Sequence, residues 1–361
     1  MRKGILFAGL ATTAMLAGCA SGDPITVAAV PNRGTIGIAM PTTTLVRWVA
    51  DSENMQKQLK LLGYRSELVY AQNDVAKQVS QIEEMVKKKD KVLIVGSVDG
   101  SALKVPLQEA ADAHIPVIAY DRLIRDSPNV SYYATFDNYK VGVMQAGFIA
   151  SRLGLRAGKG HHTIELFAGS ADDNNAHFFF RGAMSILRPY LSSGKLTVRS
   201  GETRFAQVAT PAWDGPVAER RMAGLLKNHY TAAHVDAVLA PNDGIARGVL
   251  TALKQTGYGR AGKPFPVVTG QDAELDSVKL IAAGEQTETV YKDTRELAKV
   301  AVQMTDSLLK GGTPDVNDTK QYTNGVKTVP SFLLQPVEID KSNYRRVLVG
   351  GGYYTAAELG S

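Results

Sequence analysis

In this chain of 361 residues, polar and aromatic side chains suited to holding a ligand recur just past short apolar runs. Arg47-Trp48 follows the run at 35–40, Asp99 follows 92–98, Asp121-Arg122 follows 116–120, and Asp137-Asn138 follows 130–136. The series continues with Asp172-Asp173-Asn174-Asn175, Trp213, Asn242-Asp243, Gln271-Asp272 and Lys292. Asp and Asn supply acceptors, Arg, Lys and Asn supply donors, and Trp offers an apolar face to C–H groups. A neutral polyhydroxylated molecule needs such a set, because each hydroxyl both gives and takes hydrogen bonds. For any single Asp or Asn the alternative is a helix cap or a turn, where both residues are favoured. Recurrence after several runs, together with Trp and Arg that cap nothing, favours one shared site.

The runs that position these residues read as strands at 35–40, 66–70, 92–98, 116–120, 130–136, 164–167, 235–240, 266–269 and 287–291. Most are nearly continuous in apolar residues, as strands covered on both faces are, so parallel sheets are expected. Amphipathic stretches alternate with them, with polar starts and basic or glycine ends, as from Asn73-Asp74 to Lys87-Lys88-Lys89 or from Asp293 to Lys310-Gly311-Gly312. Open parallel sheets bind ligands beyond the carboxyl ends of their strands, which is where the polar series falls. The βα units are too many for one compact sheet, and the length exceeds what one core usually organises. The extended segment 130–136 interrupts the alternation, which predicts a boundary between two α/β lobes near Asn138.

Composition sets further bounds. With 44% hydrophobic and 21% charged residues the chain is a folded globular protein, and its net charge of +6 is too weak and dispersed for nucleic acid. Arg2 and Lys3 precede an apolar run at 5–16, too short to span a bilayer as a stable helix, so residues 1–18 read as a secretory signal. The run ends in Leu16-Ala17-Gly18-Cys19, which resembles a bacterial lipobox, and predicts lipidation of Cys19 with residues 19–33 as a tether. Cleavage after Ala20 at an ordinary signal-peptidase site is the alternative. Cys19 is the only cysteine, which excludes an intramolecular disulfide.

Sharper motifs fail on context. Gly257-Tyr258-Gly259-Arg260-Ala261-Gly262 spells GxGxxG but follows a helical stretch and leads into a strand, the reverse of a dinucleotide site. His161-His162 lacks companion metal ligands at suitable spacing, and the cluster at 172–175 lacks the glycine and closing glutamate of a calcium loop. The chain has no G-x-S-x-G elbow, no H-E-x-x-H and no glycine-rich lysine loop. No cofactor, no metal and no catalysis are expected.

The residues resemble the periplasmic sugar-binding proteins of ABC importers, in the class that binds ribose, galactose and xylose. The resemblance covers nearly all of the chain after the leader. It is carried by Arg47-Trp48, Ala119-Tyr120-Asp121-Arg122-Leu123-Ile124, Tyr133-Ala134-Thr135-Phe136-Asp137-Asn138, Asp172-Asp173-Asn174-Asn175-Ala176, Gly270-Gln271-Asp272-Ala273-Glu274 and Tyr291-Lys292. These pieces point to the xylose-type branch, and within it to the multiple-monosaccharide binders of plant-associated bacteria. The resemblance implies two Rossmann-like lobes of periplasmic binding protein type I, joined by three crossovers, with a monosaccharide of the xylose, glucose, galactose or arabinose class between them.

It further implies that Asp121, Arg122, Asn138, Asn242, Asp272 and Lys292 hydrogen-bond the sugar, that Arg47 closes from the first lobe, and that Trp48 and Trp213 lie against the ring. Asn175 is a further ligand candidate. Two departures stand out: Cys19, where the family is usually released freely into the periplasm, and Gly215-Pro216, which alters the loop after Trp213-Asp214. We expect the first lobe at 34–137 plus 275–312, the second at 138–274 plus 313–361, and hinge closure on the sugar. The expected partners are an ABC permease in the inner membrane and, for a sensing role, a chemoreceptor or sensor kinase, with the protein itself a monomer. A sugar-modifying enzyme is the rival class. A sugar-responsive repressor would need a helix-turn-helix headpiece, for which there is no room before the first strand.

Overall fold

The run at 35–40 forms β1 (Thr35–Met40), paired in parallel with β2 (Arg65–Tyr70) on one side and β3 (Leu93–Val95) on the other. β4 (Val117–Tyr120) and β5 (Tyr132–Phe136) extend the sheet beyond β3, again in parallel. The structure is a computed structural model and describes residues 32–158 and 160–360. Helices α1 (Val46–Leu61), α2 (Val75–Lys87) and α3 (Lys104–Asp112) connect these strands. β1, β3 and β4 are almost wholly buried, because helices cover the sheet on both faces.

After β5 the chain starts a second sheet. α4 (Asn138–Arg152) leads to β6 (His162–Leu166), α5 (Asn174–Ser192), β7 (Leu196–Thr197), the short α6 (Phe205–Val208) and α7 (Gly215–His229). β8 (Ala237–Leu239), α8 (Asp243–Gln255) and β9 (Val267–Val268) follow. The strands pair in parallel in the order β7-β6-β8-β9. Both sheets thus set their first strand between their second and third, and ligand sites form at such switch points.

The last part of the chain departs from the predicted lobe limits. α9 (Leu275–Ala283) and β10 (Glu288–Tyr291) stay with the second lobe: Val290 bridges to Gln271 and packs in the core with Val238 and Val268. α10 (Thr294–Leu309) returns to the first lobe, where Leu297 and Ala301 share a core with Ile36 and Ile38. β11 (Ser331–Leu334) pairs in parallel with β5, completing a six-stranded sheet, while β12 (Val337–Asp340) pairs antiparallel with β10. The assignment of all of 275–312 to the first lobe and all of 313–361 to the second is therefore corrected. Residues 294–334 belong with the first lobe, and 275–293 and 335–360 with the second.

β7, β11 and β12 are strands that the apolar runs did not reveal. Among the described residues no helix is long and apolar enough to cross a membrane. The signal, the tether up to Pro31 and Cys19 lie outside the described residues.

Candidate functional site

Arg47 stands in the first turn of α1, where burial of its guanidinium demands acidic partners. It has three. Its Nε and Nη2 reach Asp51 Oδ2 at 3.1 and 3.0 Å, Nη2 reaches Asp121 Oδ2 at 2.9 Å, and Nη1 reaches Asp272 Oδ1 at 3.4 Å. Asp51 sits one helical turn on, fully buried, and also accepts from the Tyr120 hydroxyl. Burial pushes the Asp51 carboxyl up to about 6 against the pull of Arg47. Asp121 is also buried, but there Arg47, Lys292 and Arg122 outweigh the desolvation and hold its carboxyl below the usual range.

Asp121 directly follows β4 and Asp272 lies in the loop between β9 and α9, and both have left-handed backbone, with φ of +57° and +93°. Trp213 shares this feature at φ +59°. Such geometry is costly away from glycine and persists where surrounding structure enforces it, typically at functional sites. The Asp121 carbonyl accepts from the Tyr133 hydroxyl at 2.5 Å, Thr135 Oγ1 at 3.0 Å and Asn175 Nδ2 at 2.8 Å. Lys292, just past β10, places Nζ 3.0 Å from Asp272 Oδ1 and 3.8 Å from Asp121 Oδ2.

Arg47, Trp48, Asp121, Arg122, Asn175, Trp213, Asn242, Asp272 and Lys292 line one cavity between the two sheets. Asn138 does not line it. It is fully buried behind, its Nδ2 donating to Asn175 Oδ1 at 3.0 Å and Thr135 Oγ1 at 3.3 Å, while its Oδ1 lacks a hydrogen-bond partner among the described residues. Leu45 and Phe179 complete the lining together with Asp173 and Gln271, which belonged to the polar series without being named as sugar ligands. Asp173 and Gln271 carried a signal as neighbours of Asn175 and Asp272. Phe179 carried none, because an apolar residue within a helix reads as core.

Three cations, Arg47, Arg122 and Lys292, face three carboxylates, Asp121, Asp173 and Asp272, so the lining is electrically balanced. Arg122 Nε pairs with Asp173 Oδ2 at 3.0 Å, and its Nη1 donates to the Ser97 carbonyl at 3.0 Å. The Trp48 ring lies under both the Arg47 and the Arg122 guanidinium, at 4.9 and 5.3 Å. Trp213 meets Phe179 edge to face at 6.1 Å. It rests on Gly169, where a Cβ would fall 2.1 Å from the ring. Trp48 Nε1, Trp213 Nε1 and Gln271 Oε1 are buried without a hydrogen-bond partner among the described residues. Free polar atoms around a neutral, aromatic-walled cavity suit an uncharged ligand rich in hydroxyls.

Capping and binding are not exclusive here. Asn242 Oδ1 accepts from Ile245 N at 3.0 Å and caps α8, and Asp173 caps α5, yet both line the cavity. Gly215-Pro216 forms the first turn of α7 behind the Asp214 cap. His162 Nδ1 lies 3.8 Å from Asp236, and the described residues contain no group of side chains able to hold a metal. Gly257, Gly259 and Gly262 make left-handed turns after α8, remote from any strand-to-helix junction.

Residues 36–313 match the family model for a periplasmic binding protein domain. The chain is 57% identical over 328 residues to the multiple sugar-binding periplasmic receptor ChvE of Rhizobium radiobacter, covering 91% of this chain and 93% of that one. It is 35% identical to the D-xylose-binding periplasmic protein of Escherichia coli, covering 92% and 94%. A crystal structure of an ABC transporter solute-binding protein from Clostridium phytofermentans with bound β-D-glucose superimposes with a TM-score of 0.87 at 46% identity, covering 90% of this chain and 99% of that one. The type I fold, the paired lobes and these likenesses agree: the chain belongs to the periplasmic binding protein family, beside its xylose-type and multiple-sugar members.

Proposed function

We propose that the protein is the substrate-binding component of an ABC sugar importer and binds a free monosaccharide in the cavity between its lobes. The observation that carries this reading is the balanced lining, Arg47, Arg122 and Lys292 against Asp121, Asp173 and Asp272, with Trp48 and Trp213 in the same walls. The relatives named for xylose and for multiple sugars, and the glucose-bound neighbour, support it. Asp121, Arg122, Asn175, Asn242, Asp272 and Lys292 are the proposed polar ligands, with Arg47 closing from α1. Asn138 orients Asn175 from behind rather than touching sugar. Several charge-assisted hydrogen bonds of about 1.5 to 3 kcal/mol each can offset desolvation and ordering and leave about micromolar affinity or better.

Binding without turnover, residence in the periplasm, a lipid tether at Cys19 and delivery to an inner-membrane permease complete the reading. The name of the Rhizobium receptor supports a second use, presentation of the sugar-loaded form to a sensor kinase or chemoreceptor. Thermal-shift screening of free pentoses and hexoses should show stabilisation by at least one aldose, with the sugar recovered unchanged by mass spectrometry. If no monosaccharide raises the melting temperature, the assignment fails. Recovery of a modified sugar would make the protein an enzyme instead.

A further inference from the structure

The loop from Gly270 to Glu274 delivers Gln271 and Asp272 to the cavity, and it does so in a backbone conformation that needs support, with Asp272 at φ +93° and Ala273 at φ +48°. The support comes from β10. Gly270 N donates to Glu288 Oε2 at 3.2 Å, Ala273 N to Thr289 Oγ1 at 3.2 Å, and Asp272 N to the Val290 carbonyl at 2.8 Å. A side chain at Gly270 would displace Asp243 and Gln286 from their mutual hydrogen bond, since a Cβ there would lie 2.1 Å from Asp243 Oδ1 and 2.4 Å from Gln286 Nε2. Glu288 is fully buried, and its second oxygen, Oε1, has no partner among the described residues.

A hydrophobic residue or a Gln would fill the same place more cheaply, because a buried carboxyl without a cation is costly. The charged groups that act most strongly on Glu288 are Glu338 and Asp340 on β12 and Asp243 on α8, all of them acidic, while the Gly270 N–H opposes them. Burial, with these carboxylates adding to it, pushes Glu288 well above the usual carboxylate range. Asp243 is pushed the same way by burial and by Glu274, while it accepts from Gln286 Nε2 at 2.9 Å and Glu274 N at 2.8 Å. Ionisation of Glu288 would set a charge directly behind Gly270, with the Gly270 N–H to hold it and only acidic groups beyond.

We propose that Glu288 is a positioning residue for the sugar site, fixing through the Gly270 N–H the turn that presents Asp272, and so setting affinity without touching the ligand. The proposal rests on the sugar-binding reading above. Its test is calorimetry with D-glucose and D-xylose on the unaltered protein, Glu288→Gln and Glu288→Ala, between about pH 6 and about pH 10. The neutral form is favoured in the fold, so affinity of the unaltered protein should fall as pH rises and Glu288 ionises. Glu288→Gln keeps the acceptor and cannot ionise, so it should bind within about threefold of the unaltered protein at neutral pH and lose less affinity at the alkaline end. Glu288→Ala should bind about tenfold more weakly at every pH. Affinity of Glu288→Ala within about threefold of the unaltered protein overturns the inference, and where that variant does not fold, Glu288→Leu, which removes the acceptor and keeps the bulk, decides in the same way. Failure of the unaltered protein to bind either sugar overturns the functional reading, and this inference with it.

Discussion

Asp272 ties a cation from the edge of each lobe into the site. It belongs to the second lobe, yet its Oδ1 takes Arg47 Nη1 from the first lobe at 3.4 Å and Lys292 Nζ at 3.0 Å. Asp272→Ala would leave the buried Lys292 ammonium with the 3.8 Å ion pair to Asp121 and the Phe136 and Phe179 rings, and would remove an acceptor that two sugar hydroxyls can share. We expect affinity to fall roughly a hundredfold or more, about 3 kcal/mol, measured by calorimetry. Unchanged affinity would move the site elsewhere. Asp272 was legible in the sequence because it is a polar residue past an apolar run, and Arg47, Asp121, Asn242 and Lys292 were legible on the same ground. Asp51 was not: one turn beyond Arg47 within an amphipathic helix, it reads as a solvated residue, and only the fold turns it inward beneath Arg47. Asn138 is a residue type apt for binding, and the fold sets it behind the cavity lining with its Nδ2 on Asn175.

Helix pairing determines whether these residues can meet. α4 carries Asn138 and α5 carries Asn175 and Phe179, and the two helices touch backbone to backbone. A Cβ at Gly142 would lie 1.9 Å from the Phe179 carbonyl, and one at Gly182 would lie 2.1 Å from the Tyr139 carbonyl. α7 and α8 meet the same way, since a Cβ at Gly248 would lie 2.1 Å from the Gly215 carbonyl at the Gly215-Pro216 start of α7. The two arguments about Gly142→Ala have opposite signs: helix propensity alone makes it stabilising by about 1 kcal/mol, and overpacking makes it destabilising by about 1 to 3 kcal/mol or more. Contact at 1.9 Å to backbone, which cannot swing aside, decides for the second. A melting temperature lowered by several degrees is the expected outcome, and an unchanged or raised one would show that the helices part freely. Strands that carry long apolar runs were visible before the fold was known, whereas β7 has only two residues and β11 and β12 are defined by partners far away in the chain. Sheet membership of a late strand is a long-range pairing, which no local pattern encodes.

Closure of the whole molecule should follow from how its contacts are divided between lobes. Arg47, Trp48, Asp121 and Arg122 come from the first lobe, and Asp173, Asn175, Trp213, Asn242 and Asp272 from the second, so a ligand held by both sets stabilises the closed arrangement over an open one. Contacts already span the divide in this structure: Arg122 to Asp173 at 3.0 Å, Arg125 Nη1 to Asn174 Oδ1 at 3.1 Å, and Asn175 Nδ2 to the Asp121 carbonyl at 2.8 Å. The chain has two tryptophans, one on each side of the cavity, which makes intrinsic fluorescence a reporter for each lobe separately. In Trp48→Phe the signal belongs to Trp213, against Phe179 and Gly169, and in Trp213→Phe it belongs to Trp48, between Arg47 and Arg122. Each variant loses part of its ring contact, so its affinity should weaken, but both lobes must respond to the same binding event. On titration with a sugar that binds, the remaining tryptophan in each variant should change saturably, with a midpoint equal to the calorimetric Kd of that variant. A tryptophan that stays silent while heat is released would mean that its lobe takes no part in holding the ligand, and the hinge mechanism would have to be abandoned.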